Sequence, residues 1–324
     1  MVSAMRLGAI RFQVVHMNIS GLRPAFGFGG LEPEHADYKN ARYAVLPVPY
    51  DSTTSYKVGT REGPQAIIAA SMNMELYDIE TGSNPFEAGI VTLPPVEPDM
   101  GSPARFVKSL QRITGKLLKD GKFPIILGGE HSISFGPIAA CLENLNRSSS
   151  TKKRGFTVVQ IDAHSDLRSD FEGTPFNHAC VMRRVREDLG LGTVHVGIRS
   201  YCEEEAEYIK KHKVPVFHAH DVAGKLVGCT KKIIDAIGTD DVYLSIDIDG
   251  LDPSIVPATG TPEPGGLLWY ETLHFIKELV CARRIVGFDL VELMPIPGNH
   301  ASDFLAAKFV YKIIAYLEKY AKKR

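Results

Sequence analysis

Three separated apolar runs in this chain each stop abruptly in metal-ligand chemistry, and no other feature limits its fold as much. The middle run is Val158-Val159-Gln160-Ile161-Asp162-Ala163-His164-Ser165-Asp166. It is apolar and rich in β-branched residues without alternation, as a strand reads when both faces of a parallel sheet are covered. Its end offers carboxylate, imidazole and carboxylate at i, i+2 and i+4. In extended chain those positions share a face, so Asp162, His164 and Asp166 can converge. Downstream, Val242-Tyr243-Leu244-Ser245-Ile246-Asp247-Ile248-Asp249-Gly250 repeats the design. Upstream, Phe123-Pro124-Ile125-Ile126-Leu127 breaks at Gly128-Gly129 and delivers His131. Open α/β sheets build their sites outside the carboxyl ends of the strands. Two histidines and four aspartates at three such ends imply one shared site.

The rest of the chain reads as strands alternating with helices. Strands are expected at 43–49, 123–127, 156–161, 193–198, 214–218, 242–247 and 284–290. The first should lie at or near an edge because of its prolines. Helices are expected from Pro64 through Met72, at 104–119, soon after Pro137, and at 179–189, 202–212, 230–237, 269–280 and 302–320. Residues 21–40 read as loop and 143–155 as a polar surface connection. Regular alternation implies an α/β chain: three layers, with a mostly parallel sheet flanked by helices and right-handed crossovers. Residues 1–40 form an N-terminal extension whose role is not readable, and 41–324 read as a single domain without linker or repeat.

Composition narrows the function. The 324 residues carry a net charge of −1, which gives no global electrostatic case for nucleic acid or an anionic membrane. The short basic runs Lys152-Lys153-Arg154 and Lys322-Lys323-Arg324 read as solvated surface. No apolar run approaches transmembrane length, and residues 1–20 lack the continuous apolar stretch of a signal peptide. Five scattered cysteines without a CxxC pair suggest reduced thiols and a cytoplasmic location.

Two familiar sites can be set aside. Asp247-Ile248-Asp249-Gly250 opens like an EF-hand, but that loop needs Gly at its sixth position and Glu at its twelfth. Asp252 and Ala258 stand there. The glycines at 59–63 fit no phosphate-binding pattern. Carboxylates and imidazoles without thiolates suit Mn²⁺ better than structural zinc. Six ligands are too many for one small ion unless some are shared, so two ions bridged by carboxylates is the natural solution. Four aspartates balance two dications; an added hydroxide leaves the cluster slightly negative and favours a cationic substrate.

The segments GGEHS (128–132), DAHSD (162–166) and SIDIDGLDPS (245–254) resemble the signature motifs of the ureohydrolase family, which holds arginases and agmatinases. ATGTPEPGG (258–266) is similar to the agmatinase branch. The resemblance runs from about Ala44 to the last helix and implies an arginase-like catalytic domain with two manganese ions per subunit. It assigns His131 and Asp166 to one ion and His164 and Asp249 to the other, with Asp162 and Asp247 bridging. A metal-bridging hydroxide would attack a guanidinium carbon and release urea. Glu292 matches the carboxylate that binds the guanidinium, and His178 the proton-shuttling histidine. Thr261 matches a position near the metals. The resemblance also implies a homo-oligomer, trimer or hexamer, in polyamine and putrescine biosynthesis.

The substrate reading rests on the loop after Asp166. Arg168 stands where arginases carry Asn. Phe171 and Phe176 are available for an aliphatic chain, and Asp170 and Glu172 for a distal ammonium. These favour agmatine, cleaved to putrescine and urea. The alternatives are arginine, aminopropylagmatine, another guanidino compound, or formiminoglutamate. A non-catalytic scaffold relative would be expected to have lost ligands, and none of the six is lost. A two-metal phosphoesterase is open on metal logic alone. His195 reads as a satisfied core residue, His218 and His220 as structural, and Asp252-Pro253 as a turn. Glu130 departs from the Asp of many relatives and should be tolerated; Glu263 reads as structural.

Overall fold

The computed structural model describes residues 25–147 and 154–321. The readings of residues 1–20, of Lys152-Lys153 and of Lys322-Lys323-Arg324 lie outside these residues, as do parts of the expected extension and of the 143–155 connection. Among the described residues eight strands form one sheet: β1 Tyr43–Val48, β2 Ile90–Thr92, β3 Phe123–Gly128, β4 Thr157–Ile161, β5 Gly192–Ile198, β6 Val216–His218, β7 Asp241–Asp247 and β8 Arg284–Val291. Their order is β2-β1-β3-β8-β7-β4-β5-β6, and every pair is parallel. Helices of seven residues or more are α1 Gly63–Ser71, α2 Pro103–Lys119, α3 Phe135–Arg147, α4 Val181–Glu187, α5 Glu203–His212, α6 Leu226–Asp235, α7 Trp269–Ala282 and α8 Ala301–Tyr320.

The period of two along each strand divides the core. Val45, Ile125, Val159, Leu244 and Phe288 pack in one layer with α1, α6, α7 and α8. Ala44, Leu46 and Ile126 pack in the other layer with α2. Val158 and Tyr243 extend that layer against α3, α4 and α5. This is the three-layer arrangement expected, and it explains the strands' continuous hydrophobicity: neither face meets water.

Strand order makes the site. The chain passes from β3 to β4 leaving a gap of two strands, which β7 and β8 fill later. Loops leaving β3 and β4 diverge there, and such a switch point opens a crevice at the carboxyl ends. Gly128-Gly129 let β3 end beside another loop. A Cβ at Gly129 would collide with the Tyr50 carbonyl oxygen.

Some boundaries differ from expectation. β2 was not foreseen, because three residues before Pro94-Pro95 are too short to show a period. It covers the edge, so β1 with Pro47 lies one strand in. Helix α3 starts at Phe135, before Pro137, and runs to Arg147 through residues expected as connection. A proline near a helix start costs little, since its missing N–H has no intrahelical partner there. β6 starts at Val216, and α6 spans 226–235 rather than 230–237. From Phe28 the chain packs onto the sheet edge: Phe28 N donates to Thr92 Oγ1 at 2.8 Å and Gly29 N to Ser71 Oγ at 2.9 Å. Among the described residues no helix is long and apolar enough to cross a membrane.

Candidate metal centre and substrate cavity

Ligands leave the ends of β3, β4 and β7, and Glu292 follows β8, so four adjacent strands supply the whole cluster. His131 Nδ1 lies 2.9 Å from Asp166 Oδ2, 3.0 Å from Asp162 Oδ2 and 3.4 Å from Asp247 Oδ2. His164 Nδ1 lies 3.0 Å from Asp249 Oδ2 and 3.7 Å from Asp162 Oδ1. Two ligand groups result, His131–Asp162–Asp166 and Asp162–His164–Asp249, and Asp162 belongs to both. Asp247 reaches the first group through His131, and its Oδ1 accepts from Asp249 N at 2.9 Å. Asp166 and Glu292 have φ of +54° and +64°. Side chains rarely adopt this left-handed region, and such outliers gather where geometry is imposed by function.

One row down the sheet lies a polar belt that sequence reasoning passed over. His195, Gln160, Ser245 and Asp289 are register partners across β5, β4, β7 and β8. Ser245 Oγ donates to Asp289 Oδ1 at 2.7 Å and meets His131 Nε2 at 2.8 Å. A serine that donates to a carboxylate can only accept from the imidazole, so Nε2 is a protonated nitrogen and Nδ1 the one left for a metal ion. Nδ1 faces three carboxylates, and no hydrogen-bond donor reaches it. Gln160 Nε2 donates to Asp162 Oδ2 at 2.6 Å, while its Oε1 accepts from His195 Nδ1. His195 is thus the satisfied core histidine expected, and burial, with Arg186 nearby, holds it neutral at about 3. The signal was present: Gln160 and Ser245 each interrupt an apolar run, two positions before an aspartate.

The electrostatics test whether cations fit. Burial would lower His131 and His164, yet the surrounding carboxylates drive both up, His164 to about 12. Burial and the Asp162 charge push Asp166 up to about 7. Burial, Asp249 and Asp162 raise Asp247 well above the usual range. Imidazoles pushed towards cations and two of the aspartates, Asp166 and Asp247, towards neutrality form a set with excess negative charge. Divalent ions would take the place of those protons. Together with the unpartnered Nδ1 and an all-oxygen-and-nitrogen donor set, this fits metal.

A cavity of about 280 Å³ opens over the cluster, lined by His131, His164, Asp166, Asp247, Asp249 and Glu292 at its floor. Glu292 Oε1 accepts from His131 N at 2.7 Å. Thr54, Ser55, Tyr56 and Lys57, from the segment after β1, line it too. His178 lies there with Nε2 3.4 Å from Ser55 Oγ, and its backbone N donates to Thr53 Oγ1 at 3.3 Å. Thr53 is held by Glu130, whose carboxylate accepts from Thr53 N at 2.7 Å, Thr53 Oγ1 at 2.5 Å and Ser132 Oγ at 2.6 Å. Glu130 is therefore accommodated, as expected, by a full set of donors. Burial, aided by His164 and His131, lowers His178 to about 4, so its imidazole is neutral at pH 7.

Thr261 is exposed and lines the cavity, as does Arg168. Arg168 stacks 4.6 Å over the Phe171 ring, with Nε 3.9 Å from Glu205 Oε2. Glu205, not anticipated, also accepts from Ser165 Oγ at 2.6 Å and Leu167 N at 2.9 Å. Phe176 is not a cavity residue: its ring packs edge-on to Phe135. Asp170 and Glu172 are exposed and absent from the lining, so the expectation that they meet a distal ammonium does not hold. Asp252 accepts from Ser254 N, Gly265 N and Gly266 N, making the expected turn. Arg199, also missed, clamps that turn through Asp249 O at 2.6 Å and Glu263 O at 2.8 Å. The Glu263 carboxylate comes within 3.9 Å of His164 Nε2, closer than a purely structural reading implied.

The family model described as Arginase family matches residues 41–315. The N(1)-aminopropylagmatine ureohydrolase of Synechocystis sp. is 43% identical over 86% of this chain and 90% of its own length. An agmatinase of Pyrococcus horikoshii is 33% identical over 88% of this chain and 95% of its own. The crystal structure of the agmatine ureohydrolase of Thermoplasma volcanium superposes with a TM-score of 0.77 at 35% identity, covering 87% of this chain and 92% of that one. With the motifs, the sheet order and the His/Asp cluster in agreement, the chain belongs to the arginase family of ureohydrolases.

Proposed function

We propose that this ureohydrolase cleaves the guanidinium of a guanidino-polyamine with two manganese ions bound, and releases urea. N(1)-aminopropylagmatine is the first candidate, given the 43% identical relative, and agmatine, cleaved to putrescine, is the shorter alternative. The observation that carries this reading is the cavity lining. With Asp166, Asp247 and Asp249 given over to the ions, Glu292 is the lining carboxylate left for a cation, and Arg168 is already engaged by Phe171 and Glu205. A cationic group is favoured there, and an α-carboxylate such as that of arginine meets only this engaged Arg168 and Lys57, whose Nζ lies 5.5 Å from the Tyr56 ring centre.

His131, Asp162 and Asp166 would hold one ion, His164, Asp249 and Asp162 the other, with Asp247 as second bridge. When bound, such a pair supplies a water acidic enough to ionise near neutral pH. The remaining work falls to the chain. Glu292, already fixed by His131 N–H, keeps lone pairs for the guanidinium N–H groups and sets the urea carbon over the cluster. His178 is neutral, so it takes a proton first and then gives it to the leaving amine. Five free cysteines suit a cytoplasmic enzyme, and a trimer or hexamer accords with the family resemblance.

The test is urea release by manganese-loaded and chelator-stripped protein on N(1)-aminopropylagmatine, agmatine and arginine, with formamide release from formiminoglutamate and hydrolysis of a generic phosphodiester assayed beside it. Metal-dependent urea from the two amines, at least tenfold better in kcat/KM than from arginine, is expected, because burying an unpaired carboxylate costs about 1–3 kcal/mol. Equal or better arginine cleavage overturns the substrate reading. No urea from any guanidine overturns the function.

A further inference from the structure

A second group of metal-capable side chains lies away from the catalytic cluster. His218 ends β6, and His220 and Asp221 follow in the short helix Ala219–Val222. One ligand atom from each of the three falls within 4.8 Å of the others. The two imidazoles stack with centroids 5.3 Å apart, and His220 Nε2 lies 3.6 Å from Asp221 Oδ2. His220 and Asp221 are exposed, so a hydrated ion can reach them without opening the fold.

The position of His218 connects this group to the cavity. Its Nε2 is 3.0 Å from the hydroxyl of Tyr201, and Tyr201 lines the cavity. With Nε2 taken, Nδ1 is the nitrogen left for a ligand bond. Metal-bound imidazoles commonly engage an oxygen through their other ring nitrogen, which fixes tautomer and ring orientation. Tyr201 would be that oxygen.

We propose that His218, His220 and Asp221 form a surface site for a borderline divalent ion of the zinc class, and that its occupancy is relayed to the cavity wall through Tyr201. Two imidazoles and one carboxylate suit zinc, nickel or copper better than manganese, and water completes the coordination. The ligands are a two-residue-spaced histidine pair plus the next acid, so the affinity is that of an open three-ligand site. The relayed effect falls on substrate binding, because the bond it fixes is made by a cavity-lining side chain.

The experiment compares full-length, manganese-loaded wild type with His220→Ala and Asp221→Ala, neither of which touches the catalytic cluster. Each is dialysed against zinc and its zinc and manganese are counted by elemental analysis. Copper is added separately and read by electron paramagnetic resonance. Wild type should hold one more zinc per chain than either variant at equal manganese content, and its copper spectrum should show the couplings of two imidazole nitrogens where His220→Ala shows at most one. Zinc should raise KM for the guanidine in wild type and not in His220→Ala. Equal zinc content in all three proteins, or a copper signal indifferent to His220, overturns the site. A KM that zinc shifts alike in wild type and His220→Ala, or in neither, overturns the relay through Tyr201.

Discussion

The backbone N–H of His131 donates to the Glu292 carboxylate at 2.7 Å, tying the loop after β3 to the residue after β8 across neighbouring strands. Metal ligand and guanidinium acceptor, as proposed, are thereby one rigid unit, and burial, Glu130 and Asp249 push the Glu292 carboxyl well up in the metal-free chain. Glu292→Gln keeps an acceptor for His131 N–H but removes the charge. Hydrogen bonds to charged groups contribute about 1.5–3 kcal/mol, so kcat/KM should fall roughly ten- to hundredfold. Manganese content, measured alongside, should stay unchanged.

Asp162 is shared by both ligand groups, whereas Asp249 belongs to one. Asp162→Ala should therefore disturb both ions, and Asp249→Ala mainly one. Elemental analysis after dialysis decides this. Two tightly held ions in Asp162→Ala would refute the bridging role.

Ser245 touches His131 and no cavity surface. Ser245→Ala should leave every ligand in place yet free the imidazole to change tautomer and orientation. Loss of such a supporting hydrogen bond typically costs about 10–100-fold in metal affinity. Manganese titration of the stripped variant measures it, and Asp289→Asn should show a smaller effect in the same direction.

His178→Asn retains a polar side chain beside Ser55 but no proton-transfer capacity. Turnover should drop by ~10²–10⁴-fold with metal binding intact. A rate equal to wild type would remove His178 from the reaction.

Acid stability should depend on a buried ion pair away from the site. Lys312 Nζ bonds Asp78 Oδ2 at 3.0 Å and Glu80 Oε2 at 2.7 Å, and Tyr316 donates to Glu80 at 2.7 Å. Burial opposes ionisation of both carboxyls, but Thr81 and Lys312 hold Asp78 below its usual range, and Lys312 and Tyr316 hold Glu80 at about 2. Folded values below unfolded ones mean stability is present above the ordinary carboxylate range and lost as pH falls towards 2. Lys312→Met should cost roughly 3–5 kcal/mol at pH 7, since Asp78 stays buried without its cation. Its denaturation midpoint should then vary less with acid than that of wild type.

The sequence by itself determined which side chains stand at which strand ends, because those spacings are covalent and the period of an extended chain is two. It determined the three layers as well, since strands apolar on both faces require cover on both. Asp252 was readable for the same reason, since it begins the turn it holds, whereas two of the donors that accommodate Glu130 come from Thr53, 77 residues away. Tertiary structure alone decided that β8 and β7 fill the gap between β3 and β4, so that residues 131, 162, 249 and 292 meet. It also decided the register that puts Gln160, Ser245 and Asp289 in one row beneath the ligands. Asp170, Glu172 and Phe176 show the limit from the other side. Their chemistry suits a polyamine, yet the loop turns two of them to solvent and the third onto Phe135. Pairing partners and loop direction depend on contacts far apart in the chain, and no local pattern carries them.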